Sequence, residues 1–87
     1  MKRVDNYEVA LAWAEARAAV SHTGNLSTDG KAIFSYELQI GDTGETGKKF
    51  VRDYTARGSY GFRSMTTSQH VGILRYIHGA KEQPILV

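Results

Sequence analysis

The chain contains no cysteine. That removes disulfides, thiolate zinc sites and cysteine nucleophiles together. A protein without disulfides is at home in a reducing compartment, so the cytoplasm is the expected location. Long apolar runs are also missing. No stretch approaches the roughly 18 apolar residues of a membrane helix. After Met1-Lys2-Arg3-Val4 the sequence turns polar at Asp5-Asn6, unlike a signal peptide. Proline is nearly absent, its one example being Pro84, and no segment recurs along the chain.

What remains is an ordinary globular composition. Hydrophobic residues make up 41% and charged residues 23% of 87. That length is one domain, expected over residues 1–83 with a short tail at 84–87. A domain this small hides about 60–65% of its extended-chain surface, enough for one modest core. A surface site is easier to build on it than a deep catalytic pocket.

The net charge of +2 is unevenly spread. Residues 1–47 hold seven acidic and four basic side chains. Residues 48–63 hold Lys48, Lys49, Arg52, Arg57 and Arg63 against Asp53 alone. A local cationic segment matters more for partner choice than the total.

Hydrophobic periodicity gives a coarse architecture. A helix is expected from about Asp5 to Ser21, with Asp5 and Glu8 as a capping box and alanines through its middle. Val9, Ala12, Trp13, Ala16, Ala19 and Val20 would share its buried face. Tyr7, Leu11, Ala14 and Ala18 would form a second stripe nearly opposite, suited to contact with another copy, so a homo-oligomer is one expectation. The other reading makes these residues surface alanines and their neighbours. Gly24 to Gly30 reads as a loop. Residues 31–40 alternate, with Ala32, Phe34, Tyr36, Leu38 and Ile40 apolar, which predicts a strand. A hairpin through Gly41–Gly47 leads to a second strand over about Lys48–Ala56. A short third strand is expected over Tyr60–Met65. A last helix starts at Thr66 or Thr67, with Val71, Leu74, Ile77 and His78 facing inward. The fold class is therefore α+β: a three-stranded antiparallel sheet with two helices on one face, in the order α-β-β-β-α.

Few chemistries fit. Gly44-Glu45-Thr46-Gly47-Lys48-Lys49 resembles a phosphate loop, but Asp42 and Lys49 occupy positions where the Walker pattern needs glycine and Ser or Thr. His70 and His78 are eight residues apart, not the four of a helical zinc pair, so no metal site and no cofactor are expected. Both histidines are expected to border the core. No Gly-x-Ser-x-Gly elbow supports a hydrolase. The chain is read as a non-enzyme.

The strongest signal is a basic segment interleaved with rings. Lys48, Phe50, Arg52 and Tyr54 alternate along one predicted strand face, followed by Arg57, Tyr60, Phe62 and Arg63. Cations neutralise phosphate and rings stack on bases. Lys48, Lys49, Arg52, Tyr54, Arg57, Tyr60, Phe62 and Arg63 are thus the candidate contact residues for a partner, nucleic acid or nucleotide. The competing reading places Phe50 and Tyr54 in the core and the lysines at its rim. The element order also matches double-stranded RNA-binding domains, but Thr66-Thr67-Ser68-Gln69-His70 stands where those carry lysines.

Several segments carry a resemblance: Asn25-Leu26-Ser27-Thr28-Asp29-Gly30, Ser35-Tyr36, Ile40-Gly41, Asp53-Tyr54-Thr55 and Ser64-Met65-Thr66-Thr67-Ser68-Gln69-His70-Val71-Gly72. Together they resemble a family of small, uncharacterised bacteriophage accessory proteins. The resemblance implies a phage protein acting in the host cytoplasm on a host protein or nucleoprotein complex. Disabling a defence system, such as CRISPR or a nucleotide signal, is one such action. It implies no catalytic residues.

Overall fold

A computed structural model describes residues 3–87. Nine short elements follow one another: β1 (Arg3–Val4), α1 (Asn6–Ala14), β2 (Ala19–Ser21), β3 (Leu26–Thr28), β4 (Ile33–Ser35), β5 (Leu38–Thr43), β6 (Lys49–Val51), α2 (Met65–Arg75) and β7 (Ile85–Leu86). The strands make one seven-stranded sheet in sequence order. Its four inner pairings are antiparallel; the outer pairs β1–β2 and β6–β7 are parallel. The expected three-stranded antiparallel sheet is therefore wrong in size and in type.

Each difference has a local cause. Asp5 caps α1 as expected, its carboxylate accepting the Glu8 amide at 2.8 Å. The helix nevertheless stops at Ala14, not Ser21. Ala16 adopts φ +59°, the Arg17 amide donates to the Ala12 carbonyl, and the Ala16 amide donates to that of Trp13. This is a Schellman stop with alanine where glycine is usual. It frees Ala19–Ser21 to become a strand. A second break comes at Tyr36, with φ +57°, which folds the predicted 31–40 strand into a hairpin. Before that turn the phase is also reversed, with Ile33 and Ser35 buried and Phe34 on the other side opposite Gln39, whereas Ile40 after it is buried as predicted. The 24–30 segment, read as a loop, contains β3. The second strand shrinks to Lys49–Val51, and no strand forms over Tyr60–Met65. The Gly41–Gly47 connection does form a hairpin, joining β5 to β6.

Both helices cover one sheet face, α1 over β2 and β3, α2 over β4 and β6. Buried Ala19, Leu26, Ile33, Ile40 and Val51 point to them; Val20, Ser27, Phe34 and Phe50 line the uncovered face. Trp13 is the centre. Its ring lies so close to β5 that a side chain at Gly41 would come within 2.8 Å of it and 2.6 Å of Ile33. Its indole N–H donates to the Lys31 carbonyl at 3.0 Å. Val71 and Leu74 in α2 are buried as predicted, and Ile77 is buried just beyond the helix end at Arg75, but His78 is exposed. No described helix is long and apolar enough to cross a membrane.

Candidate functional site

The sheet places the 52–64 segment by two hydrogen bonds at its start. The Arg52 amide donates to Ile40 across the sheet at 2.8 Å, and the Asp53 amide donates to Val87 just beyond β7 at 3.1 Å. The apolar tail thus anchors the segment that follows β6. The segment then folds on Asp53. The Asp53 carbonyl accepts the Tyr60 amide, its carboxylate accepts the Thr55 hydroxyl, and Gly58 fits directly against it. At the far end, Ser64 caps α2 through the Thr67 amide, and the Ser68 hydroxyl donates to the Tyr54 carbonyl.

This tight loop stacks rings and guanidinium groups. Tyr54 and Tyr60 meet at 5.1 Å between centroids, inclined by 53°. Arg63 lies 5.5 Å over Tyr54, and Arg52 5.9 Å over Tyr60. Tyr54 is buried at 7% exposure, whereas Tyr60 and Phe62 are 46% and 51% exposed. Arg57 is exposed on the same loop. Among the described residues, no carboxylate pairs with Arg52, Arg57 or Arg63; the ion pairs are Arg17–Glu15 and Lys48–Glu82.

The eight candidate residues are therefore divided. Arg52, Tyr54, Tyr60 and Arg63 form one stack, with Arg57 and Phe62 exposed on the same loop. Lys48 is drawn to Glu82 at 3.0 Å. Lys49 is 8% exposed and points into the helix-covered side. Its ammonium donates to the Gly30 carbonyl at 2.9 Å and to the Thr43 hydroxyl at 2.6 Å, and lies 5.4 Å from the Trp13 ring centre. Burial lowers its pKa from the ordinary lysine value. Lys49 serves the core edge rather than a partner surface. Nor do the candidate residues share a strand face, as predicted; six of the eight lie on the loop that follows β6. The stripe Tyr7, Leu11, Ala14 and Ala18 is likewise broken. Tyr7 is exposed, Leu11 and Ala14 pack on the core, and Ala18 falls beyond α1.

A second polar cluster was invisible in the sequence. The Ser35 hydroxyl lies 2.6 Å from Nδ1 of His70 and 3.0 Å from the Thr67 hydroxyl. These residues are 32 and 35 positions apart, so no local spacing links them. All three are buried, which suits a pin between β4 and α2 rather than a nucleophile meeting substrate. No group of three or more metal-ligating side chains occurs among the described residues.

No protein-family model matches the sequence, and no curated protein or solved structure matches it either. The residues that carry the phage resemblance fall on this scaffold. Ser35, Thr67 and His70 form the pin, Asp53 and Thr55 the loop's turn, and Ser64 and Ser68 its exit. Asp29 closes a turn through the Lys31 and Ala32 amides at 2.9 and 2.8 Å. Those amides hold the Asp29 carboxyl below its usual pKa of 3.8.

Burial also lowers the pKa of His70 below 6.5, favouring the neutral ring. The unfolded chain takes up a proton near 6.5 while the folded ring resists it. Stability is thus complete above that pH and falls below it, until the folded ring is itself protonated. Asp29 adds its own loss only near and below pH 3.8. Urea midpoints taken at about pH 7.5 and pH 5.5 should drop more for the wild type than for His70→Gln. Equal drops would remove His70 as the cause.

Proposed function

We propose that this chain is a non-catalytic binding protein of the bacteriophage accessory type. It acts in the host cytoplasm by covering an anionic surface of a host protein or nucleoprotein complex, and so blocks a process such as a defence response. One observation carries the reading: Arg52, Arg57 and Arg63 lack carboxylate partners and share a tight loop with two exposed rings. Guanidinium groups stacked on rings keep their N–H donors for carboxylate or phosphate. A structural role would more naturally pair them with acids already in the chain. The phage origin rests on the resembling segments alone.

A pair of triple variants tests the contact surface. Arg52→Ala, Arg57→Ala and Arg63→Ala together remove three charges from the loop. Lys31→Ala, Lys48→Ala and Lys81→Ala remove the same three charges elsewhere. The arginine variant is expected to elute from heparin at clearly lower salt, while the lysine variant stays near wild type. Equal shifts would mean that only net charge matters and that the loop is no special surface. Circular dichroism checks that both variants fold. Inhibition is tested by phage plating on defence-bearing hosts that express each protein. Rescue by the wild type and the lysine variant, but not by the arginine variant, is expected.

A further inference from the structure

The proposed contact loop contains Arg57-Gly58-Ser59-Tyr60-Gly61-Phe62-Arg63, in which cation, glycine and ring alternate. The fold gives this pattern a particular form. Tyr60 packs edge-tilted against Tyr54 and has the Arg52 guanidinium 5.9 Å from its ring centre, yet stays nearly half exposed. Phe62 presents a ring that is 51% exposed. Between them Gly61 has φ +83°, and nothing lies within 4 Å of where a side chain would begin. Backbone and rings are therefore open to close approach from one side. The only acid in the segment, Asp53, is occupied by the Thr55 hydroxyl.

Resting on the reading above, we infer that the anionic partner of this loop is single-stranded nucleic acid. Bases stack on Tyr60 and Phe62, while Arg52, Arg57 and Arg63 take adjacent phosphates. A single strand alternates flat apolar faces with charges along its length, as this loop alternates rings with guanidinium groups. A duplex keeps its base faces stacked on each other and offers the rings nothing to cover. An acidic protein surface offers carboxylates but no repeated flat faces for two neighbouring rings. The acidic first half of the chain confines the footprint to the few nucleotides that this loop spans.

The test is fluorescence anisotropy with a labelled 12-nucleotide oligothymidine. A duplex of equal length and a labelled polyglutamate peptide run beside it. Three phosphate contacts predict a slope of log affinity against log salt of about −2, or roughly 18-fold weaker binding at 200 mM than at 50 mM salt. Phe62→Ala should weaken single-strand binding about 5- to 150-fold with the slope unchanged, and Phe62→Trp should restore it. Arg57→Ala should flatten the slope by about 0.7. Both side chains are exposed, so these variants keep the fold. Duplex binding as tight as single-strand binding, or no effect of Phe62→Ala, overturns the inference. Binding of polyglutamate in place of the oligonucleotide overturns it too, while leaving the anionic contact surface intact. Failure to bind any of the three at 50 mM salt, together with matched heparin elution of the two triple variants, removes both.

Discussion

Trp13→Ala is expected to destabilise the protein by about 3–5 kcal/mol, the range for deleting a fully buried large aromatic. A domain of this length has only about 4–13 kcal/mol of stability to lose. The loss is not packing alone. The indole N–H holds the Lys31 carbonyl, and the ring fills the space left by Gly41 and faces the Lys49 ammonium. Removing it opens a cavity beneath β5 and takes the ring away from a buried cation. Urea denaturation followed by circular dichroism should show the midpoint falling by about a quarter or more, with much of the protein unfolded if its stability is at the low end. A loss below about 1 kcal/mol would mean that Trp13 is not the centre of the core.

Gly58→Ala should act on the loop as strongly as Trp13→Ala acts on the core. A β-carbon at Gly58 would overlap the Asp53 carbonyl oxygen and its carboxyl group, none of which is a free side-chain end. Asp53 is fixed by Val87, Tyr60 and Thr55, so the loop must open. Overpacking of this kind costs about 1–3 kcal/mol. Its functional effect should be larger, because Tyr60 leaves Tyr54 and Arg52 loses its ring. Heparin retention should fall to the level of the triple arginine variant although no charge is removed. Retention equal to wild type would show that the geometry of the loop is irrelevant and only its charges count.

The helices were legible because their signals are local. Asp5 with Glu8 marks one start, and Val71, Leu74 and Ile77 mark one buried stripe. The sheet was not, because six of its seven strands have only two or three residues, too few to show a period. The strand Ala19–Ser21 lay hidden in an alanine-rich run that favours helix, and only the αL turn at Ala16 separates the two. Tyr36 carries no turn signal, yet it reverses the chain. Long-range pairing rather than propensity decided both places. At the candidate site, composition singled out residues 48–63 but not the form that they take. Lys49 followed the pleat inward, Lys48 went to Glu82, and the rings came to lie on a loop closed by Asp53, Gly58 and the distant Val87. The Ser35–Thr67–His70 pin had no sequence signature, because its members meet only after the sheet and α2 have packed.

Partners are expected to meet the molecule at the arginine–tyrosine loop. Amide chemical-shift mapping during titration with a short heparin fragment tests this most directly. Perturbations should concentrate on residues 52–66, with Tyr60, Gly61 and Phe62 most affected and the amides of Lys31 and Lys81 unmoved. Shifts centred on those lysines, or spread evenly over the uncovered sheet face, would contradict it.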